Sequence, residues 1–484
     1  MSESLQSKTF FGLIWKFTES FSIQAFGFIQ GVILARLLMP SDYGEVALVG
    51  IFFALANCLV DSGFTNALIR KKDRTEIDYS TVYVTYVSMS IVMALLLCLC
   101  SGLIADFYHD PLIKQIVIVN AVLLFCQSFI ATQGARMKIN LEFKKLSLIK
   151  ATATITTGIV SIIMAYLGFG VWSLVYPHFL HVVIRALLFW KVQHWFPGLQ
   201  FSKKSFCEFF SYGSKLMLTG VVNILFGSIN PIIIGRWYSK TTLGYYDKGA
   251  GYSSLPSNVL MGALIEVSFP ILGKIQDDTE RLASVYRRLI SLSAFLVFPV
   301  SLLIFSLSRP FVMVVLTSKW EPIIPFMQVL CFAAMWAPVH SLNLNLLMVK
   351  GRSDLFFRIE MLKKVLALIV AFVCVPIGVL AMCYGGVFLA IVTLLINTYY
   401  TSKLIHVNLI QQLRDVLPSL AYALVMVLAV FLTLKLIPNL LAQLIIGGIV
   451  GVATYYGVSE LTHSKDLAYL KQIVQENVLR RTRK

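Results

Sequence analysis

Residues 79–105, YSTVYVTYVSMSIVMALLLCLCSGLIA, run from Tyr79 to Ala105 without one charged side chain. A helix crosses the hydrocarbon of a bilayer in about 20 apolar residues, so this stretch is long enough to span a membrane. Working outward from it, about fourteen stretches meet the same requirement. They lie at 10–38, 43–68, 79–105, 112–133, 147–168, 171–191, 212–236, 251–274, 287–308, 323–348, 356–380, 384–405, 416–437 and 440–460. Hydrophobic residues make up 58% of the 484-residue chain and charged residues 13%, which leaves little chain for a soluble catalytic domain. The expected fold is an all-α polytopic membrane protein, and function has to be sought between its helices.

The net charge is +17, and its placement follows the spans. With the N-terminus inside, every even-numbered connector is richer in Lys and Arg than its odd-numbered neighbours. These connectors and the two ends hold about three quarters of the 41 basic residues, the positive-inside pattern that puts both termini in the cytoplasm. Such dispersal argues against nucleic acid as a partner, because a nucleic-acid surface needs its cations gathered on one face. Lys16 and Glu19 interrupt the first apolar stretch, so no cleavable signal peptide is expected. Eight cysteines form no Cys-x-x-Cys, and most sit in apolar runs where cysteine packs as a small hydrophobe. A phosphate-binding loop and a His-Glu-x-x-His motif are both missing. The expectation is a protein without metal, disulfide framework, cofactor or catalytic group, in which only H+ or Na+ enters as a coupling ion.

Phrases recur along the chain. Leu34-Ala35-Arg36 followed by Gly44 returns as Ile234-Gly235-Arg236 followed by Gly244, and Gln30 corresponds to Asn230 in the same frame. Asp61 before Arg70 is echoed by Glu266 before Lys274, and Gly170-Val171-Trp172 by Gly386-Val387-Phe388. The order and near-constant offset imply two pseudo-symmetric six-helix lobes in one orientation, an architecture used by transporters that bind cargo between halves and open alternately to either side. The expected domains are an N-terminal lobe at 1–191, an interfacial amphipathic linker at 192–211, a C-terminal lobe at 212–410, two additional transmembrane helices at 411–462 resembling an appendage, and a basic cytoplasmic tail at 463–484.

An ionisable group at bilayer depth costs about 2.5–3.5 kcal/mol on insertion scales, so it faces a cavity or a partner. Lys16, Ser20, Gln24, Gly27 and Gly31 share one helical face with Glu19 beside them, reading either as a cavity wall or as a small-residue helix contact. Asp61 and Glu266 sit at matching depths in the second and eighth spans, as ion-coupling carboxylates or as salt-bridged locks of an inner gate. His178, His181 and Arg185 follow Pro177 at i, i+3 and i+7, making one helix face cationic or protonatable. Asn223 and Asn230 in the seventh span, and His340 and Asn343 in the tenth, add donors and acceptors of the kind sugar hydroxyls need.

Three phrases carry a family likeness: Leu34-Ala35-Arg36-Leu37-Leu38-Met39-Pro40-Ser41-Asp42-Tyr43-Gly44, then Gly168-Phe169-Gly170-Val171-Trp172-Ser173-Leu174-Val175, then Gly235-Arg236 leading to Leu243-Gly244-Tyr245-Tyr246. With Phe107-Tyr108-His109-Asp110-Pro111, Phe269-Pro270 and Lys350-Gly351-Arg352, the chain over residues 8–410 resembles bacterial polysaccharide transporters of the Wzx kind. More distantly it resembles the multidrug/oligosaccharidyl-lipid/polysaccharide superfamily. The resemblance implies a flippase of the bacterial cytoplasmic membrane that moves undecaprenyl-pyrophosphate-linked repeat units from the inner to the outer leaflet, among membrane lipids and alongside a polysaccharide polymerase and a chain-length regulator. An anionic head group moving outward across an inside-negative membrane gains about 2.3 kcal/mol per charge per 100 mV. Two rivals stand beside this reading, a cation-coupled drug antiporter of the same superfamily and a membrane-embedded glycan polymerase or acyltransferase. The first calls for an acidic aromatic pocket and the second for a polar outer loop.

Overall fold

The computed structural model describes residues 24–482, except for the side chains of 260–267, 270, 473, 474 and 476–482. Lys16 and Glu19, and the side chain of Glu266, lie outside the described residues. The described chain is helical throughout. It divides into two compact units, Met1–Gly244 and Tyr245–Lys484.

The first unit opens with α1 (Gln24–Leu37), α2 (Pro40–Asp61) and the short α3 (Phe64–Arg70). Then come α4 (Glu76–Tyr108), α5 (Pro111–Ile139), α6 (Phe143–Tyr166), the single turn α7 (Trp172–Val175) and α8 (Pro177–Gln193). The unit closes with α9 (Lys203–Gly227), α10 (Ile229–Trp237) and the first turn of α11 (Lys240–Lys274). In the second unit the rest of α11 leads to α12 (Thr279–Phe311), α13 (Ile323–Ala334) and α14 (Ala337–Val349). These are followed by α15 (Ser353–Cys374), α16 (Val379–Ile405), α17 (Leu409–Leu436), α18 (Leu440–Leu461) and α19 (Lys465–Thr482).

Over the described residues a helix occupies each expected span, and 11 are long and apolar enough to cross a membrane. Three fall short of the expectation for identifiable reasons. α1 is described only from Gln24, α11 includes side chains outside the description, and α15 carries Arg358, Glu360, Lys363 and Lys364 in its first turns. Apolar side chains turn outward along the long helices: Leu99 is 78% exposed and Leu103 71%. Such a surface suits lipid, which competes for apolar side chains as well as another helix does. Cohesion must then come from close packing and internal hydrogen bonds.

The α2–α3 break shows close packing built into the sequence. Ser62 and Gly63 both take left-handed backbone angles, φ 43° and 71°, and α9 crosses there so closely that a Cβ on Gly213 would lie 2.2 Å from the Ser62 carbonyl oxygen. The segment between α8 and α9 is stapled down rather than lying free. Trp195 donates to Glu76 at 2.9 Å, the Arg136 guanidinium sits 4.1 Å from the Trp195 ring, and the Ser202 backbone N–H donates to the Thr81 hydroxyl at 3.0 Å. Only from Lys203 is the 192–211 stretch helical after Gln193, as the first turns of α9.

In the second unit α17 and α18 are not the appendage expected from their place outside the repeat. Val416, Ala423, Met426 and Val430 of α17 pack in one core with Ile290, Phe298 and Leu302 of α12. Arg287 grips Asp415 through two parallel bonds of 2.8 and 2.7 Å, and the Tyr455 hydroxyl of α18 donates to the Phe295 carbonyl at 2.9 Å. A fully buried polar knot joins α14, α16 and α17. Thr401 donates to Asn343 at 2.8 Å, and the Asn343 amide and the Thr398 hydroxyl donate to Gln412 at 3.2 Å. Removing one partner leaves the others unsatisfied away from water. Asn343→Leu is expected to destabilise the protein by about 1–2 kcal/mol, measured as an earlier thermal transition in detergent.

Candidate translocation site

Of the four anion-facing side chains expected from the sequence, His178, His181 and Arg185 lie on α8 in the first unit, and Lys16 lies outside the described residues. Gly168 and Gly170, at φ 81° and 54°, turn the chain after α6, and Ser161 of α6 donates to the Ser173 carbonyl at 2.5 Å. These contacts fix the one-turn α7, and Pro177 then starts α8 at a position where its missing N–H is not needed. α8, which carries His178, His181 and Arg185 on one face, packs against α6. His178 is exposed, while His181 and Arg185 are half-buried. The Arg185 guanidinium stands 5.5 Å from the Phe189 ring, and its Nε is buried without a hydrogen-bond partner among the described residues. A guanidinium with no carboxylate beside it among the described residues, inside an apolar helix pair, is suited to receive an anionic oxygen.

On α1, Gln24 is exposed, and a Cβ placed on Gly27 or Gly31 would meet no atom within 4 Å. In this arrangement those glycines make no close helix contact. Further along the same helix Phe26 and Gln30 do close on α6, against Gly158.

Asp61, at the end of α2, accepts from the Thr65 hydroxyl at 2.9 Å and from the Tyr86 hydroxyl of α4. No Lys or Arg pairs with it among the described residues. Arg70, which follows Asp61 in the repeated phrase, lies over the Tyr212 ring at 4.7 Å. Asn223 is exposed on α9 and Asn230 half-buried on α10, beyond the interruption at Ser228. In the second unit His340 has both ring nitrogens buried without a hydrogen-bond partner among the described residues, whereas the Asn343 amide is taken up by the polar knot.

The repeated glycines meet at one end of the first unit. α1–α2 and α10–α11 each break for two residues, at Leu38-Met39 and Tyr238-Ser239. The two breaks touch backbone to backbone: a Cβ on Gly44 would lie 1.8 Å from the Lys240 carbonyl oxygen, and one on Gly244 1.9 Å from that of Pro40. Beside them Lys240 bridges Glu45 and Asp110 at 2.6 Å each, and Arg236 donates to the Phe107 carbonyl at 2.7 Å. Lys240→Met would strand the buried Glu45 carboxylate near Asp110. The expected loss is about 1–2 kcal/mol, given the partial exposure of the ammonium, and a lower melting temperature relieved by adding Glu45→Gln would confirm it.

A family model for polysaccharide biosynthesis proteins matches residues 33–325, a stretch that contains the α8 face, both repeated breaks and the Asp61 cluster. The chain belongs to the polysaccharide biosynthesis protein family. Among relatives of this polysaccharide family member, the lipopolysaccharide biosynthesis protein WzxC of Escherichia coli (strain K12) is 28% identical over 366 residues, covering 74% of each chain. Among solved structures, the lipid II flippase MurJ in an inward closed conformation has a TM-score of 0.78 at 15% identity, covering 94% of this chain and all of its own. An inward-facing multidrug resistance MATE family transporter of the MOP superfamily has a TM-score of 0.62 at 14% identity, over 79% of this chain and 95% of its own. The polysaccharide biosynthesis protein is therefore a multi-pass membrane protein with the MOP fold.

Several groups in this family member escaped sequence reading. Tyr86 lies 25 residues from the carboxylate it serves, and nothing local to Asp61 announces it. Lys240 had one signal, as a lone cation in a basic-poor connector between the repeated Arg236 and Gly244.

Proposed function

We propose that the protein is a flippase that carries undecaprenyl-pyrophosphate-linked oligosaccharide repeat units from the inner to the outer leaflet of the bacterial cytoplasmic membrane. Its two lobes open alternately, with both termini cytoplasmic. The observation that carries this reading is the α8 face, where the Arg185 Nε is buried without a hydrogen-bond partner among the described residues and two histidines share its helix face. Arg185 and His178 meet the pyrophosphate, His181 positions them against α6, and Gln24, Asn223, Asn230 and His340 serve sugar hydroxyls. Asp61, held by two hydroxyl donors rather than by a cation, takes and releases the coupling proton or sodium ion, with Glu266 and Glu19 as its counterparts. A polymerase and a chain-length regulator receive the product.

The relatives' names and the fold likeness to a lipid flippase support this reading over a glycan-forming enzyme. The basic α8 face weighs against a cationic drug as cargo. Deleting the gene in its host is the test. Inner-leaflet lipid-linked glycan should accumulate and surface polysaccharide disappear. Unchanged surface polysaccharide with loss of drug tolerance would overturn the assignment in favour of the antiporter.

A further inference from the structure

A second cationic site lies apart from the α8 face, between the end of α3 and the first half of α9. It is a cleft of about 420 Å³ whose walls carry Arg70, Lys71 and Lys215, with the hydroxyl-bearing Ser211 and Tyr212 between them. Its floor is the buried Phe209, which packs edge-on against Phe64. Helical spacing explains the gathering: Glu208, Ser211, Tyr212 and Lys215 fall on one face of α9 at intervals of three and four. We propose that this cleft binds the phosphate of an anionic phospholipid headgroup.

Charge accounting within the cleft favours an anion. Lys71 is held between Asp78 at 3.0 Å and Glu208 at 3.1 Å. Burial acts to lower its pKa, but the hydrogen bonds it donates to those carboxylates outweigh burial and hold the amine above its ordinary value, fully charged. Asp78 is 1% exposed and also accepts from the Thr75 backbone N–H at 2.9 Å, so it does not face the cleft. Glu208 is the one carboxylate on the lining. Arg70 and Lys215 have no carboxylate partner among the described residues, and Arg70 is pinned over the Tyr212 ring. The negative end of α3 would repel an anion, but its last carbonyls, of Leu68 and Ile69, accept from the Arg74 guanidinium at 2.8 and 2.7 Å.

Position commits the occupant to lipid. Arg70 ends one apolar span and Glu76 begins the next, so the cleft lies where hydrocarbon gives way to headgroups, on the face whose connectors are rich in basic residues. On α9 the stacked Phe206 and Phe210 rings, with Phe201 beside them, adjoin the cleft; Phe201 is 53% exposed and Phe210 43%. Aromatic rings at this level lie against the upper acyl chains, while each Lys or Arg adds to headgroup attraction.

The test titrates the full-length purified protein with phosphatidylglycerol or phosphatidylcholine in mixed micelles and counts bound lipid by native mass spectrometry. A separate arm adds soluble glycerol phosphate. Wild type should retain phosphatidylglycerol over phosphatidylcholine. Arg70→Gln with Lys215→Gln should weaken it by about tenfold or more, while Glu208→Gln, which removes the opposing charge and releases Lys71, should tighten it. A tightening cannot come from misfolding, so Glu208→Gln keeps the test decisive if the double variant is unstable. Phosphatidylglycerol binding unmoved by both variants, or glycerol phosphate competing at lipid concentrations, would overturn the proposal. Neither outcome bears on the flippase reading, because no residue of the cleft belongs to the α8 face.

Discussion

Replacing Arg185 with alanine is expected to lower transport of a pyrophosphate-linked sugar lipid by about 10- to 100-fold while leaving the amount of protein in the membrane unchanged. The magnitude follows from a hydrogen bond to a charged group, about 1.5–3 kcal/mol, lost at a step where the pyrophosphate leaves water. Among the described residues the guanidinium has no carboxylate partner, and it rests near the Phe189 ring, so its removal strands no charge among them and should not unfold α8. Arg185→Lys keeps the charge but loses the forked donor geometry that matches phosphate oxygens, and should recover part of the rate. Surface polysaccharide and inner-leaflet intermediate, measured in a deletion strain carrying each variant, give the ranking. Full activity in the alanine variant would remove Arg185 from the cargo path.

Gly44→Val should prevent the first unit from folding normally. A Cβ at that position would sit 1.8 Å from the Lys240 carbonyl oxygen and 2.6 Å from its carbonyl carbon, so the obstruction is backbone on both sides and no side chain can swing away. Relief requires the α1–α2 and α10–α11 breaks to separate, which would also pull Lys240 from Glu45 and Asp110. The expected penalty exceeds about 3 kcal/mol, seen as loss of monodisperse protein on extraction. Gly50→Val is the control, because a Cβ there meets nothing within 4 Å. Equal behaviour of the two variants would show that the repeated glycines are not in contact.

What could be read from the sequence had local or periodic causes. Uncharged runs such as 79–105 announced helices because bilayer thickness sets their length, and the 200-residue echo of Gly44 in Gly244 announced that both positions mattered. It did not announce that they touch. Contacts between distant segments left no such trace. Nothing in the neighbouring sequence marks Gln412, yet it is 1% exposed and ties α17 to Asn343 and Thr398. That tie helps bind span thirteen into the core, and span fourteen is held there through Tyr455 on the Phe295 carbonyl. Asn343 illustrates the opposite error of inference: its polar type at bilayer depth suggested cargo, whereas its hydrogen bonds run to protein neighbours. The α8 stripe was legible because three chemistry-bearing residues share one helix face, and the basic cleft was not, because Arg70 and Lys215 belong to different helices and come together only through the Ser62–Gly213 crossing.

The most direct measurement is translocation in vesicles holding only the purified chain and a pyrophosphate-linked sugar lipid, read as the fraction of sugar open to an external glycosidase or lectin. The account predicts that this fraction rises from one leaflet's share toward both at a rate set by the protein, and that Arg185→Ala slows the rise. Folded protein that leaves the fraction unchanged, or that moves a lipid lacking the pyrophosphate and sugar equally fast, would contradict it.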